Sequence, residues 1–438
     1  MTVQTQPTMR LSRRRQPLVG LYAANVVSGA GDVLMFLAVP WFVLQTTGSV
    51  AQTGITAFFS TASVALSAVL GSAIVDRLGF QRASVVSDVA SMLGVALIPL
   101  LYATVGLPFG ALLALVFIAG LLTTPGATAR SSLIPDLSRL AGVRLERATA
   151  AADGMTRLSR FVGAPLAGIL IVVIGTSNLL WIDAATFAFS ALAVALAVPA
   201  RLAPQLTAGD EPPAPQTAEE REPVSSVAEP SRGYFARLAG GFVFLWRDPW
   251  LRGATLVVLV TNMLDAGQSG VLAPAFVKQV YGNAAVLGAL IAAFGGAAFA
   301  GTIAFGAVGH RLPRGLTLGV SYTLGGASRF FWIVLLAPHP VAMIAVQAVC
   351  GFFIGQVNPL YDTIAYERVP AAMRARVFGA LTAGAMLGAP LGGLIAGLLA
   401  PAIGVEPSML VFGVIYAAAT LSLLVHPSLR LAGRSPSH

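Results

Sequence analysis

Two acidic side chains lie deep inside hydrophobic runs, and they are the residues best suited to chemistry in this sequence. Asp32 falls about fifteen residues into the first run, near the middle of a helix that rises about 1.5 Å per residue. Asp265 takes a similar place in the seventh run. A charge at this depth is costly and marks a pathway, a proton relay or a structural ion pair. Because an apolar cavity favours the neutral acid, we predict that Asp32, and then Asp265, exchange protons.

Polar and aromatic side chains share a helical face with each acid. Residues spaced by three, four or seven positions lie on one side of a helix. The first and seventh runs each present such a face, and the tenth run carries a polar stripe. The sequence therefore predicts a substrate cavity lined by Asn25, Phe36, Asn262, Ser269, Gln347, Asn358 and Tyr361.

The composition places these residues in a membrane protein. Of the 438 residues, 56% are hydrophobic and 10% are charged, whereas soluble proteins carry about 25% charged residues. The single cysteine, Cys350, cannot form an internal disulfide. Lys278 is the only lysine and is followed by glutamine, so the chain has no P-loop for ATP. We expect no cofactor, no metal centre, no enzyme activity and no nucleic-acid partner, despite the net charge of +9.

Hydrophobic runs of about 20 residues, the length that crosses a bilayer, recur along the chain and predict twelve transmembrane helices. Arginines concentrate in the loops of one side, so the positive-inside rule predicts a multi-pass protein of the cell membrane with both termini cytoplasmic. The proline- and acid-rich segment between the sixth and seventh runs is typical of a disordered linker. The predicted layout is a basic tail 1–16, a six-helix bundle 17–199, a linker 200–233, a second six-helix bundle with a leading interfacial helix 234–428, and a tail 429–438.

The sequence also predicts where three other charged residues lie. Arg130 falls at the start of an arginine-bearing loop. Asp183 falls near the start of the sixth run, on the outer side of the membrane, where we expect contact with water. Arg329 lies well inside the ninth run and must have a partner, which the sequence does not identify.

The chain contains an internal repeat. PWFVLQTTG at 40–48 matches PAFVKQVYG at 274–282 at an offset of 234, and GAPLAG at 163–168 matches GAPLGG at 388–393. Each copy contributes an even number of spans, so the two copies enter the membrane from the same side. The repeat predicts an all-α membrane protein built from two like-oriented six-helix bundles related by an axis along the membrane normal.

This arrangement resembles the major facilitator superfamily, and the loop after the second run resembles that family's signature. SAIVDRLGFQR at 72–82 has an acid, a base and a glycine in the matching places. GD at 31–32 and WIDAATF at 181–187 resemble the drug and siderophore exporter branch, in particular its Tap-type multidrug efflux proteins. In the family, the loop acid meets the start of the eleventh span. The resemblance thus implies a latch between the halves, which we extend to the second copy: Asp76, Arg77, Gly79 and Arg82 with Arg374 and Arg376, and His310 and Arg311 with Glu146 and Asp153.

Small residues in the fifth and eleventh runs predict close helix packing. Glycine lets helix backbones approach where lipid supplies no hydrophobic drive, and proline permits a kink. The repeated motif resembles the family's antiporter motif, which implies a pivot between the fifth span and the eighth or eleventh. Packing alone is the other interpretation. The predicted pivot residues are Gly163, Pro165, Gly168, Gly388, Pro390 and Gly393.

Together these features favour a secondary active transporter that exports small hydrophobic or cationic compounds in exchange for protons, by alternating access. Its partners would be membrane lipids, the small-molecule substrate and protons. The export direction follows from the resemblance. Two alternatives remain open, a proton-coupled importer of a small nutrient and a membrane receptor or scaffold that transports nothing.

Overall fold

The first half of the chain folds into six long helices. The computed structural model describes residues 10–199, 234–370 and 373–425, and it is helical apart from short connections within these ranges. Helix α1 begins before residue 17, so part of the predicted basic tail is helical. The six helices are α1 (Arg10–Thr47), α2 (Val50–Leu78), α3 (Phe80–Thr104), α4 (Phe109–Ala141), α5 (Leu145–Ile174) and α6 (Thr176–Ala197).

The second half repeats this plan with helices that are more often interrupted. A π-helical segment, Gln268–Leu272, separates α8 from α9, and another, Tyr322–Ala327, separates α11 from α12. Such π-bulges often occur at functional sites. The helices are α7 (Tyr234–Arg247), α8 (Pro249–Gly267), α9 (Ala273–Val280), α10 (Ala284–Val308), α11 (Arg314–Ser321), α12 (Ser328–Leu335), α13 (Pro340–Ile354), α14 (Val357–Arg368), α15 (Arg374–Ile403) and α16 (Val405–Val425).

Many of these helices are long and apolar enough to cross a membrane. Among the described residues, 9 helical stretches meet that standard, from Arg15–Thr47 to Val405–Leu424. The other three predicted spans are also helical, in α2, in α5, and in α11 with α12. The all-α membrane fold is confirmed, and the number of twelve spans stays a prediction.

The helices pack as two bundles. In the first, α1 packs against α5 and α6, and α3 packs against α4 and α6; in the second, α10 packs against α13, and α8 against α15. The bundles meet where α2 packs against α15 and α5 packs against α10. We call the end with the α2–α3 and α4–α5 turns the arginine-rich end, and the end with the α1–α2 and α5–α6 turns the opposite end.

Glycines with positive φ make several of the tight turns between long helices. Gly79, the predicted latch glycine, has φ +76° between α2 and α3, and Gly48 has φ +67° between α1 and α2. Residues with a Cβ rarely adopt this conformation. The turns therefore hold consecutive helices antiparallel and adjacent.

Helix α7 leads the second bundle. The sequence predicts that it lies on the membrane surface; the structure packs it against α15, with Gly241 against the Arg376 carbonyl group. Asp248 then caps α8 by accepting from the Trp250 and Leu251 amides at 2.8 and 2.9 Å. The predicted linker 200–233 and the tail 429–438 lie outside the described residues.

Candidate substrate cavity

A large cavity surrounds Phe36 near the middle of α1. Phe36 is 50% exposed and lies in the wall of each of four adjoining spaces. One space of about 910 Å³ runs along the first bundle from Asp32 to Asp153. Another of about 780 Å³ runs along the second bundle from Asp265 to Asp362. Asp153 and Asp362 lie toward the arginine-rich end of their helices, so the cavity extends from the middle of the protein toward that end.

The bundles are in close contact at the opposite end. A Cβ added to Gly397 of α15 would lie 2.5 Å from the Cα of Gly54 in α2, and one added to Gly168 of α5 would lie 2.6 Å from the Cα of Gly288 in α10. Gly54 and Gly288 are separated by the repeat offset of 234. The two glycine contacts are therefore counterparts under the approximate twofold axis, and they close the end away from the cavity mouth.

A third contact lies at the axis itself. The Lys278 ammonium group donates to the Leu44 carbonyl oxygen, and these residues are 234 positions apart. Residues that correspond under a twofold axis touch each other only when both lie beside it. The contact places the matched segments 40–48 and 274–282 at the axis between the halves.

Asp32 faces the cavity from α1. It lies in the wall of the 910 Å³ space and also of a 440 Å³ space whose other walls are mainly apolar. Met35 and Val39 of α1 and Met386 of α15 are among those walls. The Asp32 side chain therefore borders both spaces, and its role in proton exchange stays a prediction.

Asp265 has a specific partner, which is also the missing partner of Arg329. The Arg329 guanidinium group donates to the Asp265 carboxylate, and the rings of Phe294 and Phe330 lie 4.9 and 5.2 Å from its central carbon. The two π-helical segments flank this pair, one directly after α8 and one directly before α12. The pairing is not visible in the sequence, because 64 residues separate Asp265 from Arg329.

A second ion pair, in the first bundle, is fully buried and is not apparent from the sequence. Arg130 lies inside α4, not in a loop, because that helix continues to Ala141. Its guanidinium group contacts Asp88 of α3 at 2.7 Å, and the two side chains are 3% and 1% exposed. It also donates to the Asn25 side-chain oxygen of α1 at 2.8 Å, while Ser190 of α6 donates to Asp88 at 2.7 Å. The pair thus joins four helices of the first bundle beside the cavity.

Asp183 differs from its predicted surroundings. It is 0% exposed, because its face of α6 packs against α1 near Gly31. Thr186 donates to one carboxylate oxygen at 3.4 Å, and the other oxygen has no hydrogen-bond partner among the described residues. The expected contact of Asp183 with water is therefore wrong.

The other predicted cavity residues are only partly brought together. Asn262 and Asn358 line the 780 Å³ space, while Ser269 and Gln347 line a 300 Å³ space with Asp265 and Arg329. Tyr361 packs against Trp250 instead, with ring centroids 5.9 Å apart, and is not among the described residues that line these four spaces. No group of three metal-binding side chains occurs in the described ranges.

The predicted latch residues make local contacts in this conformation. Arg144 lies 3.5 Å from Glu146, the Arg311 guanidinium donates to His310 at 3.2 Å, and Arg374 donates to the Tyr366 carbonyl at 3.3 Å. Arg82 is exposed, Arg376 half-buried, and Asp153 lines the cavity. The side chains of Asp76 and Arg77 lie outside the described residues. The latch itself stays a prediction.

The predicted pivot glycines lie at helix contacts. Gly163 packs against Val33 of α1, Gly168 against α10, Gly388 against the Leu259 carbonyl of α8, and Gly393 against Ala57 of α2. Pro390 is buried within α15, and the Pro165 side chain lies outside the described residues. The sequence predicts that the fifth span contacts the eighth or the eleventh. In the structure the fifth span, α5, packs against α10, which is the predicted eighth span.

Replacing Gly168 by valine is expected to slow transport roughly tenfold, because overpacking costs about 1–3 kcal/mol and would act only in the state in which the opposite end is closed. The measurement is the initial transport rate at equal amounts of protein in the membrane. Gly154→Val on the same helix is the matched control, since a Cβ there meets nothing within 4 Å. Equal rates for both variants would contradict the prediction.

Two packed bundles that enclose a cavity open toward one end are the architecture of a membrane transporter. Comparison with known proteins agrees. The family model of the Major Facilitator Superfamily matches residues 21–314 and 255–437. The chain belongs to this superfamily.

Named relatives support the same assignment, and a solved structure shares the fold. The chain is 30% identical over 432 residues to the multidrug efflux pump Tap of Mycobacterium tuberculosis (strain ATCC 25618 / H37Rv), covering 98% of this chain and 97% of the relative. It is 27% identical over 430 residues to the enterobactin exporter EntS of Escherichia coli O1:K1 / APEC, covering 95% and 93%. Its fold is similar to that of the nucleoside transporter NupG, with TM-score 0.68 at 12% identity, covering 94% of this chain and 99% of that structure. The protein is thus a multi-pass transporter of the cell membrane, and the two relatives named above are an efflux pump and an exporter.

Proposed function

We propose that this transporter exports small hydrophobic or cationic compounds, as a drug or siderophore exporter, in exchange for protons. The observation that carries the proposal is the position of Asp32, which places one acid beside a largely apolar 440 Å³ compartment in the middle of the protein. An apolar wall with one carboxylate suits an organic cation, whose charge pairs with the acid while its rings and chains bury against carbon.

The same carboxyl group couples the compound to a proton. A cation and a proton compete for one carboxylate, so binding of either favours release of the other. Asp265 is the second candidate for coupling, because a proton on its carboxyl group would cancel the charge that holds Arg329. The resemblance to Tap and EntS, both named as exporters, supports the direction of transport.

The arginine-rich end would face the cytoplasm. Positive residues near membrane-spanning helices favour the cytoplasmic side, and the arginines of this chain concentrate at the end toward which the cavity extends. In this orientation both termini are cytoplasmic, and the described conformation collects compounds from the cell. The reverse conformation would close the arginine-rich end and separate the glycine contacts at the opposite end.

Transport by reconstituted protein tests the proposal. Purified protein would be placed in liposomes of known orientation, and uptake of a fluorescent organic cation through the arginine-rich end would be followed after a pH gradient is imposed. We expect uptake that requires a more acidic compartment at the opposite end and that stops on addition of a protonophore. Movement in the other sense would favour an importer, and binding without movement would favour a receptor or scaffold.

Asp76→Asn is expected to reduce the transport rate roughly tenfold, because the proposed latch relies on charge-assisted hydrogen bonds worth about 1.5–3 kcal/mol when the arginine-rich end is closed. The measurement is the rate, together with labelling of a cysteine introduced at that end. Asp136→Asn is the control, since Asp136 pairs with Arg139 on the surface of α4 at 3.2 Å. An unchanged rate and unchanged labelling in Asp76→Asn would remove the latch from the mechanism.

A further inference from the structure

The 300 Å³ space beside the central cavity has buried hydrogen-bond donors in its wall. Arg329 of α12 and Gln347 of α13 both line it, and they are 7% and 4% exposed. The Nε of Arg329 and the Nε2 of Gln347 find no acceptor among the described residues. Buried donors are normally paired, so two such donors in one cavity wall indicate that an acceptor is missing.

The charges around this space define the acceptor. Arg329 is already neutralised by Asp265, and the rings of Phe294 and Phe330 lie 4.9 and 5.2 Å from its central carbon. Its Nε–H group is the donor without a partner, and because that atom is buried, a small turn of the side chain brings it to a ligand. A second anion would lie beside the Asp265 carboxylate and be repelled by it, whereas an uncharged oxygen would accept without adding charge.

The space adjoins the compartment of Asp32. Phe36 lies in the wall of both, so one elongated compound can reach from the acid of α1 to the donors of α12 and α13. Leu287, Leu290 and Ile333 complete the wall of the smaller space and suit the hydrocarbon that carries the oxygen.

We propose that the 300 Å³ space is a subsite for an uncharged oxygen acceptor of the transported compound, a carbonyl, ether or hydroxyl group, and that Arg329 and Gln347 are its donors. The Gln347 amide turns about its own side-chain bonds to meet the acceptor. The inference rests on the proposed function and makes it more specific: the preferred substrate is an organic cation whose far end carries an oxygen acceptor.

Binding of two matched cations to the purified protein in lipid nanodiscs tests the subsite. The probes are N-methylpyridinium ions that carry, para to the nitrogen, either a 5-oxohexyl or a hexyl group. They differ only in that a carbonyl replaces one methylene group near the far end of the chain. We expect the wild-type protein to bind the 5-oxohexyl compound about tenfold more tightly, a difference of about 1.4 kcal/mol that hydrogen bonds to the subsite would supply.

Gln347→Met removes one of the two donors and is expected to lower the ratio of the two affinities well below its wild-type value. Gln356→Met is the matched control, because Gln356 is also buried but lies near Ser321 and lines none of the four spaces; it should keep the tenfold preference. Gln347→Leu gives a second variant should the first fail to fold. A ratio near one in the wild type, or a preference that is undiminished in both Gln347 variants, would overturn the subsite.

The outcome is separable from that of the proposed function. Affinities are measured without a pH gradient, so a preserved preference in a protein that exports neither compound under a gradient would reject proton-coupled export and keep the subsite. Export of both compounds under a gradient, together with equal affinities, would keep proton-coupled export and reject the subsite.

Discussion

Replacing Asp32 by asparagine is expected to abolish proton-driven export of an organic cation while leaving the protein folded. The substitution keeps the shape of the side chain and removes both the negative charge and the exchangeable proton. A hydrogen bond to a charged group is worth about 1.5–3 kcal/mol, so cation binding should weaken by roughly 10- to 100-fold. Coupling should be lost altogether, because the variant has no proton to exchange at this position.

The measurement is uptake of the fluorescent cation by oriented proteoliposomes under a pH gradient, paired with its equilibrium affinity without one. Asp136→Asn, on the surface of α4, is the matched control and should transport as the wild type does. A neutral hydrophobic compound should bind to Asp32→Asn nearly as well as to the wild type, since it does not use the charge. Coupled export of the cation at the wild-type rate by Asp32→Asn would refute the assigned role.

Replacing Asp88 by alanine is expected to be the most destabilising substitution in the first bundle. It leaves the Arg130 guanidinium, only 3% exposed, without its carboxylate, and breaking a buried ion pair from one side costs about 3–5 kcal/mol. That is a large part of the roughly 5–15 kcal/mol by which proteins are typically stable. We expect most of the variant to be lost as aggregated or degraded protein.

Thermal denaturation of detergent-solubilised protein, followed by size-exclusion chromatography, measures this effect. Arg139→Ala on α4 is the control, because its pair with Asp136 is 65% and 41% exposed and such pairs contribute about 0–1 kcal/mol. Equal stability of the two variants would show that the Asp88–Arg130 pair is not a structural tie between the helices.

The two ion pairs inside the bundles have different surroundings and, we infer, different uses. Asp88 and Arg130 are surrounded by Asn25, Ser28 and Ser190, so their polar atoms are extensively hydrogen-bonded. Asp265 and Arg329 line open cavity space and lie between π-helical segments. The first pair suits a fixed tie within one bundle, and the second suits a site whose partners change when a proton or a compound binds.

The two ends of the described bundles differ in how closely the bundles meet. The glycine contacts of α2 with α15 and of α5 with α10 hold the bundles together at the opposite end, whereas the cavity reaches the arginine-rich end. Rigid bundles that rock about a central site cannot be closed at both ends in the state that admits a compound. The pairing predicted for the arginine-rich end belongs, in our proposal, to the other state.

Features that depend on local composition and period could be predicted from the sequence alone. Membrane insertion follows from hydrophobic length, the repeat from matched segments, and the central position of Asp32 from its distance along one helix. The resemblance to the superfamily also depends on short motifs such as SAIVDRLGFQR at 72–82. Each of these needs information from only one stretch of chain or from two copies of it.

Pairings between distant helices were decided only by the tertiary structure. Asp265 and Arg329 are 64 residues apart, and Asp88 and Arg130 are 42 apart. Whether such side chains meet depends on how each helix is rotated, tilted and interrupted, and hydrophobic periodicity does not specify these when several faces of a membrane helix are apolar. For the same reason, only the packed bundles revealed which end is closed, why Asp183 is buried away from water, and which donors lie unpaired beside the cavity.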